Sequence, residues 1–117
     1  MTDSRPHAAV LELYVWCSRS LWTKDVIKAA ATVSRDIRGD NYGKLEGYWS
    51  TDIGPLNQVM HLWSYADLNE RARLRAELAK NPRWGGEYLP LTRPHVLRQE
   101  IRLLNGMVGP IAPARTP

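Results

Sequence analysis

The chain has 117 residues, 44% apolar and 24% charged, which is enough for one packed core, too little for two, and ordinary for a soluble globular chain. Its formal charge of +4 is carried by basic residues scattered from Arg5 to Arg115. They form no stripe or known nucleic-acid module, and no nucleic-acid partner is expected. The single cysteine, Cys17, excludes an internal disulfide and any cysteine-rich metal site, and its apolar neighbours make it a small buried residue.

Residues 1–7 are predicted to be a flexible N-terminus that includes His7. This segment lacks the basic and apolar regions of a secretory signal. No stretch reaches the roughly 18 consecutive apolar residues of a membrane span. A cytoplasmic protein without membrane contact is therefore expected. The first strand is predicted over residues 8–17, with Leu11, Leu13 and Val15 on one face and Glu12, Tyr14 and Trp16 on the other. The following stretch places Trp22, Val26, Ala30, Val33 and Ile37 at helical spacing, and Gly39-Asp40-Asn41 ends that helix.

A short second strand is predicted over residues 45–51, then a turn at Asp52-Ile53-Gly54-Pro55-Leu56 and a third strand over 57–65. The third strand alternates Asn57, Val59, His61, Trp63 and Tyr65 against Gln58, Met60, Leu62 and Ser64. Asp67 and Glu70 have the spacing of a capping box, opening a second helix that stops at Asn81-Pro82. Leu68, Ala72, Leu78 and Ala79 are taken as its apolar side, while Arg71 and Arg75 share a face expected to be solvated or salt-bridged. A turn anchored by Trp84 and Tyr88 leads to a fourth strand over residues 95–104, with His95 expected to be solvated. Residues 105–117 are a proline-rich tail.

The order βαββαβ is that of the ferredoxin-like, α+β class: a four-stranded, antiparallel-rich sheet with helices on one face. On this reading strands 1 and 3 lie side by side and parallel, and the uncovered face carries Tyr14, Trp16, Trp63 and Tyr65. Such a patch is too apolar to leave in water, so a homodimer packed sheet to sheet is expected, a dimeric α/β barrel.

The run from Gly47 through Thr51-x-x-Gly54-x-Leu56-Asn57 and His61-x-Trp63-x-Tyr65 into the arginine-rich helix and Trp84 resembles the signature block of the NIPSNAP family. The resemblance extends over residues 8–104, with departures at Tyr14 and Trp16, where the family usually carries Arg and Tyr. It implies the dimeric α/β barrel fold. It also implies either a small-molecule enzyme of the kind that fold group contains or a non-catalytic binding or scaffold protein.

The residues themselves point to one candidate site. Every aromatic ring in the chain is Trp or Tyr, five of each and no Phe, which suits half-apolar, half-wet walls. Glu12 and His61 are expected to meet across the sheet as orienter and base of an acid–base pair. Tyr14, Trp16, Trp49, Trp63 and Tyr65 are expected to wall a pocket for a small aromatic or polyketide-like substrate, with Asn57 to orient it. His61 has two other readings, a satisfied core residue and a metal or haem ligand. No phosphate loop, nucleophile elbow or zinc spacing is present, so no cofactor and no metal are expected. The chemistry in view is isomerisation, cyclisation, elimination or cofactor-free oxygenation.

Overall fold

The computed structural model describes residues 10–105. The N-terminal segment with His7 and the proline-rich tail past Asn105 lie outside these residues.

Strand β1 (Val10–Ser18) leads into a helical run built of a 3₁₀ turn, α1 (Thr23–Ala29), a π-helical turn (Ala30–Ser34) and α2 (Arg35–Arg38). The run ends at Gly39, whose φ of +49° is open to glycine at little cost. Strands β2 (Lys44–Ser50) and β3 (Gln58–Tyr65) form a hairpin and are followed by α3 (Leu68–Lys80). A second π-helical turn (Trp84–Tyr88), α4 (Leu89–Thr92) and a 3₁₀ turn then enter β4 (Val96–Leu104). The expected element order is reproduced.

The sheet runs β2-β3-β1-β4, and every pairing is antiparallel, including β1 with β3. The parallel pairing expected for strands 1 and 3 is thus corrected. The helical crossover makes β1 parallel to β2, and the hairpin reverses β3, so β3 inserts between them antiparallel to both.

A second correction concerns the faces. Tyr14, Trp16, Trp63 and Tyr65 point toward the helices, where they form the core with Val26, Ala29, Ile37, Leu74 and Tyr88. The face away from the helices carries Leu13, Val15, Met60 and Leu62, all half-buried, with Trp49 opposite Met60 at 51% exposure. Period-two alternation separates two faces without saying which one the helices cover. Here both sets are apolar, and the larger rings occupy the thicker layer between sheet and helices.

The helix stripe Val26, Ala30 and Ile37 is buried as expected, while Trp22 sits at the rim stacked on His95 at 4.4 Å. In α3 the Asp67 cap accepts from the Glu70 N–H at 2.7 Å, and the Glu70 carboxylate accepts from the Ala66 N–H at 3.2 Å. The buried side of α3 is Leu74 and Leu78 with Arg71 and Arg75 turned inward, whereas Leu68 is exposed. The buried Glu12 carboxylate on β1 sets that rotation.

Candidate functional site

Glu12 is fully buried on the helix-facing side of β1. Arg71 Nε donates to its Oε2 at 2.5 Å, Arg75 to the same oxygen at 3.2 Å, and the Tyr65 hydroxyl to Oε1 at 3.3 Å. Arg75 also donates to the Tyr14 hydroxyl. Two guanidinium groups and a phenol therefore satisfy this buried acid, as a charge taken out of water requires. Burial together with the Glu12 charge pushes the Tyr65 hydroxyl up to about 12, so it stays a donor.

His61 takes no part in this network. Its ring is stacked between Tyr14 at 4.6 Å and Tyr48 at 5.0 Å, with Trp16 and Trp63 meeting it edge to face. The Trp63 Nε1–H donates to His61 Nδ1 at 2.7 Å. This bond leaves the proton on Nε2, so His61 offers a donor beyond its stack. Burial first, and the Arg38 charge second, lower its pKa to about 3. The expected pairing of Glu12 with His61 is therefore corrected: Glu12 lies opposite Trp63, two arginines claim its oxygens, and His61 is oriented by Trp63. A neutral Nε2–H imidazole is also the wrong form for a base on that side.

A cavity of about 660 Å³ lies between the sheet and the helices. Tyr14, Trp16, His61 and Trp63 line it. Both π-helical turns contribute to its wall, through Ala30 and Ser34 and through Trp84, Gly85 and Tyr88. Tyr65 is buried beside Glu12, behind the lining.

Two expected site residues are elsewhere. Trp49 is on the opposite face of the sheet, folded over Gly47, where an added Cβ would come within 2.3 Å of the indole. Asn57 closes the β2–β3 turn with a φ of +62°; its side chain accepts from the Thr23 hydroxyl at 3.2 Å and its carbonyl from the Ser18 N–H at 2.9 Å. Asn57 thus ties the turn to the start of α1 rather than facing a ligand.

Two residues missed from the sequence complete the site. Tyr48 is the cross-strand partner of His61, so it takes the wall position expected of Trp49. Hairpin parity carries this signal, because a loop centred on Gly54-Pro55 sets Tyr48 and not Trp49 opposite His61. Arg38 is 5% exposed; its guanidinium lies 3.5 Å over the Trp63 ring and donates to the Tyr42 carbonyl at 2.8 Å. Burial lowers its pKa. It stands in the last turn of a helix, where an arginine commonly points to solvent, and nothing local marks it as inward. No cluster of His, Cys, Asp and Glu able to hold a metal ion occurs among the described residues. No helix among them is long and apolar enough to cross a membrane.

The NIPSNAP family model matches residues 14–108. A NIPSNAP-like domain protein from Burkholderia xenovorans superposes with a TM-score of 0.82 at 35% identity, covering 95% of this chain and 97% of that one. A NIPSNAP family protein from Agrobacterium tumefaciens gives 0.80 at 32% identity over 91% of this chain and 98% of its own. The human protein NipSnap homolog 3A is 37% identical over 49 residues, which is 41% of this chain and only 20% of that longer protein. A dimeric ferredoxin-like protein from an uncultured marine organism shares the fold alone, with a TM-score of 0.66 at 11% identity over 90% of this chain and 96% of its own. A matched model over most of the domain, and whole-chain superposition at these identities, make this protein a member of the NIPSNAP family.

Proposed function

We propose that the protein binds a small, flat molecule in the cavity between sheet and helices and promotes proton-transfer chemistry on it: isomerisation, cyclisation, elimination or cofactor-free oxygenation. The observation that carries this reading is His61. It is buried, locked as the Nε2–H tautomer by Trp63, and left without a partner for that N–H among the described residues. In this reading His61 is not the base, and the proton leaves the substrate carbon for a base from the solvent. As a neutral donor in a dry site it stabilises negative charge that develops on a substrate oxygen, the role in which a fixed hydrogen-bond donor contributes most.

The test uses 2-tetralone, an aromatic ketone whose carbon acidity depends on its enolate. Deuterium uptake from D₂O at its α-carbon, followed by NMR, is expected to be at least about tenfold faster with the protein than in buffer. His61→Gln is expected to remove most of that acceleration while keeping the melting temperature above pH 7, since the amide oxygen can still accept from Trp63. No acceleration by the native protein would sink the catalytic reading. Binding without acceleration favours a second reading, a non-catalytic binding protein. That alternative is supported by the state of Glu12, the expected proton acceptor, which is occupied by Arg71, Arg75 and Tyr65.

The protein acts as a homodimer in this proposal. The support is the sheet face of Leu13, Val15, Met60 and Leu62, which no helix among the described residues covers. Sedimentation velocity is expected to give a dimer for the native chain and a monomer for Leu13→Glu. A native monomer at about 100 µM would overturn it.

A further inference from the structure

Five arginines, Arg35, Arg38, Arg75, Arg93 and Arg98, line the cavity, and no aspartate or glutamate among the described residues does. Arg75 is matched by Glu12, Arg35 lies 3.5 Å from Asp40, and Arg98 is 3.8 Å from Glu100. Arg38, the most buried of these, has no carboxylate partner among the described residues. Its guanidinium meets the Trp63 and Trp84 rings, the Tyr42 carbonyl and the Tyr65 hydroxyl, none of them a full counter-charge.

A second observation is independent of charge. Four buried polar side-chain atoms have no hydrogen-bond partner among the described residues: Trp16 Nε1, Arg38 Nε, His61 Nε2 and the Tyr48 hydroxyl. All four residues line this one cavity. Trp16 Nε1 and Arg38 Nε are donors by their chemistry, and His61 Nε2 is one because Trp63 occupies Nδ1. Buried donors are almost always paired in folded proteins, so this cluster marks an acceptor reached by small side-chain rotations that bring these closed-over atoms to the cavity surface. The three residues are contiguous: Arg38 lies over Trp63, Trp63 bonds His61, and His61 meets Trp16 edge to face at 4.7 Å.

We infer that the ligand of this cavity is a conjugated or aromatic carboxylate, or the enolate of such a compound. Its anionic oxygens accept from Arg38, Trp16 and His61, and its plane packs among the Tyr and Trp rings of the wall. The inference deepens the reading of the cavity as a ligand site and rests on it. Arginine and N–H donors in a buried site favour an oxyanion strongly over a neutral isostere, because a neutral group leaves the guanidinium desolvated and uncompensated.

Two probes of matched shape decide it, 2-naphthoate and 2-naphthalenemethanol, titrated at pH 7 by calorimetry against the native protein, Trp16→Phe and His61→Gln. The carboxylate is expected to bind at least about tenfold more tightly than the alcohol. Trp16→Phe keeps the ring surface and removes only the N–H, so it is expected to weaken the carboxylate about three- to tenfold and leave the alcohol unchanged. Equal affinity for both probes, or a preference for the alcohol, would overturn the anionic-ligand inference while leaving the cavity a binding site. Binding of neither probe would overturn the binding reading itself and the inference with it. If Trp16→Phe does not fold, the native probe pair and His61→Gln still return one of these outcomes.

Discussion

Glu12→Ala is expected to lower stability by about 2–4 kcal/mol, a fall of roughly 10–20 °C in melting temperature for a domain of this size. Glu12 is the only anion at the centre of a buried network that holds Arg71, Arg75 and Tyr65. Its removal leaves two guanidinium groups facing a cavity of the size of a carboxylate. The cost lies below the upper limit for broken buried pairs because the Arg71 and Arg75 side chains are 20% and 40% exposed and can turn partly to water. A double-mutant cycle checks the cause. Arg71→Ala is expected to be costly in the native background and nearly neutral beside Glu12→Ala. Because Glu12 is not part of the cavity lining, Glu12→Gln is expected to bind 2-naphthoate within about threefold of the native protein. A melting temperature unchanged within about 1 °C for Glu12→Ala would show that the network contributes nothing to the fold.

Acid is expected to destabilise the protein through His61. Folding lowers the pKa of this imidazole from 6.5 to about 3, through burial and then the nearby Arg38 charge. The groups packed on it are Tyr14, Tyr48, Trp16 and Trp63, none of which supplies a counter-charge. Between pH 6.5 and 3 the unfolded chain therefore binds a proton at this site that the folded chain refuses. The contribution of the neutral ring is fully present above pH 6.5 and is lost as the pH falls toward 3, at up to about 1.4 kcal/mol per pH unit. Urea unfolding of the native protein and His61→Gln across pH 4–8 isolates the effect. The two stability curves are expected to run together above pH 7 and to separate in acid, the native protein falling below His61→Gln, since glutamine has no proton to gain. Curves parallel down to pH 4 would mean that the ring is solvated or protonated in the folded state.

These two residues also mark where the sequence stopped being legible. Glu12, Tyr14 and His61 could be placed on the right strands, and on the same side of the sheet, from alternation alone. What they touch depends on α3, whose rotation about its own axis is weakly encoded. Leu68, Ala72, Leu74, Leu78 and Ala79 are compatible with more than one buried stripe, and Arg71 and Arg75 carry enough methylene to lie on either side. The buried Glu12 charge breaks that ambiguity by drawing both arginines inward. Trp49 was misplaced for a similar reason, since in a hairpin with two apolar faces a one-residue change of parity costs nothing that the local sequence can register.

The sequence by itself determined the element order, the antiparallel-rich α+β class, the Asp67 cap, the helix stripe of Val26, Ala30 and Ile37, and the family to which the block around His61-x-Trp63-x-Tyr65 belongs. Each of these is written in local periodicity or in a contiguous motif, so neighbours along the chain suffice to read it. Only the tertiary structure decided that the large aromatic face turns toward the helices, that Glu12 belongs to two arginines and not to His61, and that Arg38 and Tyr48 complete the cavity. Those outcomes arise between residues 13 to 63 positions apart, from Tyr48 and His61 to Arg75 and Glu12. They are settled by which buried charge and which unpaired donor each neighbour can satisfy, a competition that exists only once the sheet and helices have closed on one another.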